Sequence, residues 1–237
     1  MSANRTIHTA DAIAWLKDHS PLEGSSLIAS MPDISEFPGD TVSEWSQWFV
    51  DTAKLILLKT PDSGVTLFFQ SDIKHDSVWI DKGYLVTKAA EELGHPMLFH
   101  KILCRSAPGT ATYGKPSYSH LLAFSKSVRP NVSRSTADVV PDLGEKTWVR
   151  GMGFNACRIA CEFLKNETAT HTVINPFCGH GSIVSVANFF GFNSIGIERS
   201  PKRAEAARSL QVEPNGKGWI EHPRTAHPPK SELESND

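Results

Sequence analysis

Seven residues, Asn175-Pro176-Phe177-Cys178-Gly179-His180-Gly181, join an apolar strand-like run directly to a helix-like run. Gly179 and Gly181 have no Cβ, so the backbone can approach a ligand closely there and adopt positive φ. About twenty residues after the glycines, the next strand-like run ends in Glu198. A carboxylate at that place can accept hydrogen bonds from both hydroxyls of a ribose, the logic by which dinucleotide-binding folds hold their cofactor. The spacing is not G-x-G-x-x-G, and no Lys-Ser/Thr pair follows the glycines. Both facts point away from NAD and nucleoside triphosphates and toward a different nucleoside. Taken alone, the segment also reads as a plain strand, turn and helix whose glycines serve only geometry.

Elements that would position this turn surround it on both sides. Strands are expected at 5–9, 26–31, 64–70, 97–105, 118–126, 171–177 and 193–198. Helices are expected at 10–18, 42–60, 79–94, 153–165, 181–191 and 200–210. The helix at 42–60 carries the clearest signal, with Trp45, Trp48, Phe49, Ala53 and Ile56 at spacings of three and four. Residues 127–147 read as a linker or surface loop. Residues 1–210 read as one domain, and the Pro-rich, polar stretch 211–237 as a disordered tail. Strands alternating with helices imply an α/β domain with a mainly parallel sheet covered on both faces. Ligands of such sheets sit beyond the carboxyl ends of the strands.

Composition narrows the classes. The chain is 40% hydrophobic and 21% charged, with a formal net charge of −2. Binding nucleic acid by bulk charge is thereby excluded, whereas a local basic patch is not. No apolar run approaches the roughly 20 residues needed to span a bilayer, and the first residues lack the apolar stretch of a secretory signal, so no membrane partner and a cytoplasmic location are expected. Cys157 and Cys161 share one helix face and read as small core residues. His8, His75, His95, His100 and His120 show no ligand spacing, and no metal is expected.

The turn and the residues after it, NPFCGHGSI…GIERSP, resemble the DPFCGSGTT…GIDISP signature of the amino-group nucleic-acid methyltransferases of the DNA N6-adenine/N4-cytosine type. The resemblance implies a class I, Rossmann-like methyltransferase fold with S-adenosyl-L-methionine (SAM) as cofactor. Asn175, Pro176, Phe177, Gly179 and Gly181 would abut its methionine part, and Glu198 with Arg199 its ribose. Asn175 stands where the family has Asp. Near the other end, IHTADAIAWLKDHSPLEGSSLIASMPD is similar to the family's opening pattern. By that likeness Asp11, with Ala12, reaches the adenine of the cofactor, and Ser30-Met31-Pro32-Asp33 is the catalytic tetrapeptide. KTWVRGMGFNACRIACEFL resembles the helix entry at the methionine carboxylate, which points to Arg150 and Asn155. The tetrapeptide precedes the cofactor turn, so the resemblance implies a circularly permuted, seven-stranded, mainly parallel sheet.

The chemistry explains the tetrapeptide. An exocyclic amine is a poor nucleophile because its lone pair conjugates with the ring. Ser30 and the Met31 carbonyl can each accept one of its N–H hydrogens and steer the nitrogen toward the methyl group. Asp33 departs from the family, which places a stacking aromatic there. Asp33 reads as an altered acceptor site, as a loop-capping acid, or as the mark of lost base methylation. Phe37, Trp45 or Trp79 can supply stacking from elsewhere. The expected activity is methyl transfer to a base nitrogen. The short 127–147 segment favours structured RNA, or DNA reached with a targeting partner protein. A small-molecule or protein methyltransferase and a catalytically inactive SAM-binding scaffold are the alternatives.

Overall fold

The computed structural model describes residues 3–220 of the 237-residue chain. The elements are β1 (Arg5–Thr9), α1 (Ala12–Asp18), β2 (Ser25–Ala29), α2 (Val42–Leu58), β3 (Thr66–Gln70), β4 (Ile73–His75), β5 (Val78–Ile80), α3 (Lys82–Glu92), β6 (Met97–Cys104), β7 (Tyr118–Phe124), β8 (Val139–Val140), α4 (Phe154–Glu167), β9 (Thr172–Asn175), α5 (Ser182–Phe189), β10 (Asn193–Glu198) and α6 (Pro201–Ser209). One sheet runs in the order β1-β10-β9-β2-β3-β7-β6-β8. The first five of these strands are mutually parallel. β7 is antiparallel to both β3 and β6. The expected seven strands are all present, and the two-residue β8 adds an eighth at the edge of β6.

Apolar residues on alternate sides of the strands build two cores. Leu67, Phe69 and Leu121 join the buried faces of α4, α5 and α6. Leu27, Phe68 and Leu122 join those of α1, α2 and α3. Helix α2 begins with a capping box, in which Thr41 accepts from Glu44 N–H and the Glu44 side chain accepts from Thr41 N–H. β9 and β2 are neighbours at the middle of the sheet, although β2 comes early in the chain and β9 late. From β9 the chain turns outward to β10, and from β2 it goes the other way to β3. The crevice beyond the carboxyl ends of β9 and β2 is therefore the topological switch point, in the permuted order expected.

Three expectations need correcting. The helix expected over 79–94 starts only at Lys82, because residues 73–80 pair as the small hairpin β4-β5. Asp76 and Ser77, both at positive φ, turn that hairpin, and they carry no sequence signal as strong as Asn-Gly. The stretch 127–147 is not mere linker, since it supplies β8 and reaches the functional cleft. The tail expected from 211 is folded back over 211–220: Val212 bridges Trp219, and Trp219 is buried edge-on against Phe154. Residues 221–237 of that expected tail lie outside the described residues. Among the described residues no helix is long and apolar enough to cross a membrane.

Candidate functional site

A cleft of about 660 Å³ opens at the switch point. That volume lies within the roughly 300–1,000 Å³ typical of small-molecule and cofactor sites. Its wall joins the two segments singled out in the sequence: Asp11, Ala12 and Ser30 to Asp33 from one end of the chain, and Asn175 to Gly179, Glu198 and Arg199 from the other. Two expected residues do not line it. Asn155 donates from Nδ2 to the Asp142 carbonyl at 3.2 Å and so braces the loop before α4. Gly181 sits at φ 87° at the start of α5, where a Cβ would meet Ala207 Cα at 2.7 Å. The missing Cβ lets the start of α5 lie close against α6.

The half of the cleft at the ends of β9 and β10 is built from turns that hold themselves. The Asn175 side-chain oxygen accepts from Phe177 N–H at 3.1 Å and folds the turn back on β9. Gly179 takes φ 54°, and its N–H donates to Glu198 Oε2 at 3.1 Å. Ser200 N–H donates to Glu198 Oε1 at 2.7 Å. The carboxylate thus ties the glycine turn to the entry of α6, with Arg203 also facing Oε1 at 3.7 Å. Asp11 caps α1 through Oδ1, which accepts from Ala14 N–H at 2.9 Å. A Cβ on Gly179 would lie 3.1 Å from the Trp148 ring, so the turn and Trp148 approach as only a glycine permits. His180 stacks on that ring at 5.0 Å, and the Arg203 guanidinium lies over it at 5.2 Å. His180 therefore packs against Trp148 as well as spacing the turn, and burial, with Arg203 nearby, holds its pKa below the ordinary value.

The half of the cleft at the ends of β2 and β3 holds the tetrapeptide. Met31 is buried, whereas Ser30, Pro32 and Asp33 are half-buried. Asp33 does not cap a loop: its Oδ1 lies 2.5 Å from Lys82 Nζ, the first residue of α3. The Lys82 side chain is 4% exposed and also lies over the Phe49 ring. Of the aromatics weighed for stacking, each of which also reads as core, Trp45 is fully buried in the core, and Phe37 lines the cleft while packing on Trp48 at 4.4 Å. Trp79 is 44% exposed, and its indole N–H donates to Asp72 Oδ2. Arg150 lines the cleft but pairs with Glu36 at 3.0 Å.

Side chains that carried no signal in the sequence converge beside the tetrapeptide. Asp72 is buried and receives the Lys82 backbone N–H at 2.9 Å and the Tyr118 hydroxyl at 3.4 Å. His120 Nε2 lies 3.0 Å from Asp72 Oδ1, and His120 Nδ1 lies 2.8 Å from His100 Nε2. Burial pushes the Asp72 carboxyl up, but the His120 hydrogen bond and charge outweigh it and hold the carboxyl below its ordinary value. Asp72, Asp81 and His120 bring three ligand-type atoms within 4.8 Å of one another. The histidines looked scattered because the pairing of β6 with β7, not chain spacing, brings His100 beside His120.

Charge is concentrated in this cleft. Eight Lys/Arg and five Asp/Glu side chains line it, an excess of three positive charges in a chain whose formal net charge is −2. Lys82, Arg150 and Arg203 face carboxylates at 2.5, 3.0 and 3.7 Å. Arg105, Lys115 and Lys146 line the same cleft with no ion pair among the described residues. Burial, and then the charges of Arg105 and Lys115, push the Lys146 pKa down to about 8.

No protein-family model matches the chain, and no curated protein matches it by sequence. Solved structures match it in fold. A Thermus thermophilus protein assigned as a DNA modification methylase, complexed with S-adenosyl-L-methionine, superposes with a TM-score of 0.66 at 15% identity, covering 86% of this chain and 93% of that one. PvuII DNA methyltransferase, specific for cytosine N4, gives 0.67 at 15% identity, covering 88% and 86%. The M1.HpyAVI–SAM complex gives 0.58 at 15% identity, covering 86% and 98%. At such identity the likeness establishes the fold, which is the class I, Rossmann-like methyltransferase fold.

Proposed function

We propose that this protein is a SAM-dependent methyltransferase acting on a nitrogen of a nucleic-acid base. One observation carries the reading: a single cleft brings the glycine turn and Glu198 to the Ser30-Met31-Pro32-Asp33 segment, under a rim with excess positive charge. The residues present suit the cofactor. Glu198 and Asp11 offer acceptors for the ribose and the adenine amine. Gly179 keeps the floor low. The solved structures of the same fold include complexes with SAM. The Asn175 amide supplies hydrogen bonding without the charge that would meet an ammonium.

When bound, SAM supplies an electrophilic methyl group on a sulfonium. The chain's own part is to position the acceptor. Ser30, half-buried on the wall of the cleft, accepts one amine hydrogen through Oγ. The Met31 carbonyl accepts the other, held extended because Pro32 disfavours helical geometry at the residue before it. With both hydrogens held, the nitrogen lone pair turns toward the methyl carbon. SAM would be held by Asp11, Gly179 and Glu198 and would supply the methyl group; the methylated nitrogen would give its extra proton to solvent or to Asp33. Positioning of this kind requires no metal. A base within a duplex must first be extruded.

Asp33 takes the first of its three readings, an altered acceptor site, because its ion pair with Lys82 puts charge where an aromatic would stack. The unpaired Arg105, Lys115 and Lys146 suit phosphates of a nucleic-acid strand. The exposed Tyr113, two residues from Lys115, suits stacking on an unpaired base. A charged cleft disfavours the small-molecule alternative, for which an enclosed apolar pocket is wanted. The leaning toward RNA gains nothing from the solved structures of the same fold, two of which are of proteins named as DNA methylases or methyltransferases, so DNA is the first substrate to test. The experiment is methyl transfer from labelled SAM to unmethylated DNA and to total RNA, followed by mass spectrometry of the nucleosides. Label in a methylated base nitrogen is expected; cofactor binding with no transfer to either nucleic acid would remove the reading.

A further inference from the structure

Gln70, the last residue of β3, is 1% exposed and lines the cleft with Ser30, Asp33 and Asp72. Neither its Oε1 nor its Nε2 has a hydrogen-bond partner among the described residues. Its neighbours are otherwise satisfied: Asp72 takes donors from three elements, and Ser71 and Ser119 bond each other at 2.6 Å. Burying an amide with both ends unpaired is costly, and buried polar groups in native proteins are overwhelmingly paired. Packing gives no reason for it, because leucine fills nearly the same volume without the cost. A ligand that brings one donor and one acceptor gives the reason. Gln has three side-chain torsions, which let its amide turn into the cleft its residue already lines.

Resting on the methyltransferase reading, we propose that Gln70 reads the edge of the acceptor base, donating to the ring nitrogen beside the exocyclic amine through Nε2 and sharing through Oε1, in a three-centre hydrogen bond with the Met31 carbonyl, the amine hydrogen nearer that nitrogen. The ligand is a base with an amine beside an unprotonated ring nitrogen, as in adenine or cytosine. Bidentate pairing of an amide with such an edge is established chemistry in nucleic-acid recognition. Asp33 sharpens the choice. Its Oδ1 is held by Lys82, and its Oδ2 makes no hydrogen bond to another described residue. A carboxylate facing the pocket repels the ring carbonyl that guanine or uracil would place where adenine and cytosine carry the amine. Gln70 and Asp33 together thus replace stacking by edge recognition.

The test uses the full chain and two variants, Gln70→Leu and Gln70→Glu. Thermal melting, calorimetry with S-adenosylhomocysteine and methyl transfer to DNA and RNA are measured on each. Gln70→Leu is expected to melt at the same temperature as wild type or higher and to bind the cofactor product within twofold. Its kcat/KM for transfer is expected to fall about 100-fold, the scale of a misplaced acceptor. Gln70→Glu, which has no donor for the ring nitrogen, is expected to fall comparably. Wild-type transfer by Gln70→Leu, a melting temperature lowered by several degrees with cofactor binding lost, or transfer to guanine or uracil would overturn the assignment. A wild-type protein that binds cofactor and methylates no nucleic acid overturns instead the reading on which the assignment rests.

Discussion

Lys82 Nζ lies 2.5 Å from Asp33 Oδ1, joining the first residue of α3 to the last residue of the tetrapeptide after β2. The Lys82 side chain is 4% exposed, so its ammonium depends on this carboxylate. Asp33→Asn leaves that charge uncompensated. Because Asp33 is about a third exposed, the expected loss is about 2 kcal/mol, below the 3–5 typical of fully buried pairs. Lys82→Met added to Asp33→Asn should recover most of it. Urea unfolding of the single and double variants measures this, and an Asp33→Asn protein as stable as wild type would show the pair to be idle.

Asp11 caps α1 and lines the cleft, and two substitutions separate these roles. Asp11→Ala should cost about 1 kcal/mol of stability through the lost cap, and should weaken cofactor binding as well. Asp11→Ser keeps a capping oxygen, so stability should hold while affinity falls about tenfold. Calorimetry with S-adenosylhomocysteine decides: equal affinity in Asp11→Ser and wild type removes Asp11 from the cofactor site.

Gly181 has φ 87°, and a Cβ there would come within 2.7 Å of Ala207 Cα. Gly181→Ala should therefore destabilise by more than about 1 kcal/mol, from strained φ and overpacking together. The cofactor affinity of the folded fraction should be little changed, since Gly181 does not line the cleft. A stable Gly181→Ala protein with lost cofactor binding would reverse that placement.

Lys146 loses its proton near pH 8 in the folded chain, against 10.5 in the unfolded one. Between those values the unfolded chain binds more protons, so this group makes stability rise with pH from about 8 to 10.5. Oligonucleotide affinity should move oppositely and fall from pH 7 to 9 as the ammonium is lost. Lys146→Gln should flatten that fall. Replacing Arg105, Lys115 and Lys146 together by Gln should reduce the slope of log affinity against log salt by about 3, if each meets one phosphate. Fluorescence anisotropy with a labelled oligonucleotide reads both, and an unchanged salt slope would place the strand elsewhere.

Cys157 and Cys161 are fully buried, and burial raises both thiols well above their ordinary value; Cys178 is pushed up to about 12 by burial and by Glu198. The thiolate is the reactive form, so these three should resist a thiol reagent at pH 8 until the chain unfolds. Rapid labelling of the native protein at Cys157 would contradict the packing of α4.

Sequence alone determined whatever depends on neighbours along the chain. The period of apolar residues marked the strands and helices, because burial on one face imposes it. The glycine turn with Glu198 one strand later was legible because a βαβ unit is local, and its late place announced the permuted sheet. Helix α3 began late because a hairpin turned by Asp76 and Ser77 has weak local chemistry. The tail was misread over 211–220 because one buried aromatic, Trp219, outweighs a polar composition. Tertiary structure alone decided the side of the cleft around the tetrapeptide. Lys82 meets Asp33 and His100 meets His120 across breaks in the chain of 49 and 20 residues, and Gln70 lines the same cleft as the tetrapeptide. Such encounters leave no period or spacing in a sequence. They arise because parallel strands align their carboxyl ends, so that residues remote in the chain share one cleft and one balance of charge.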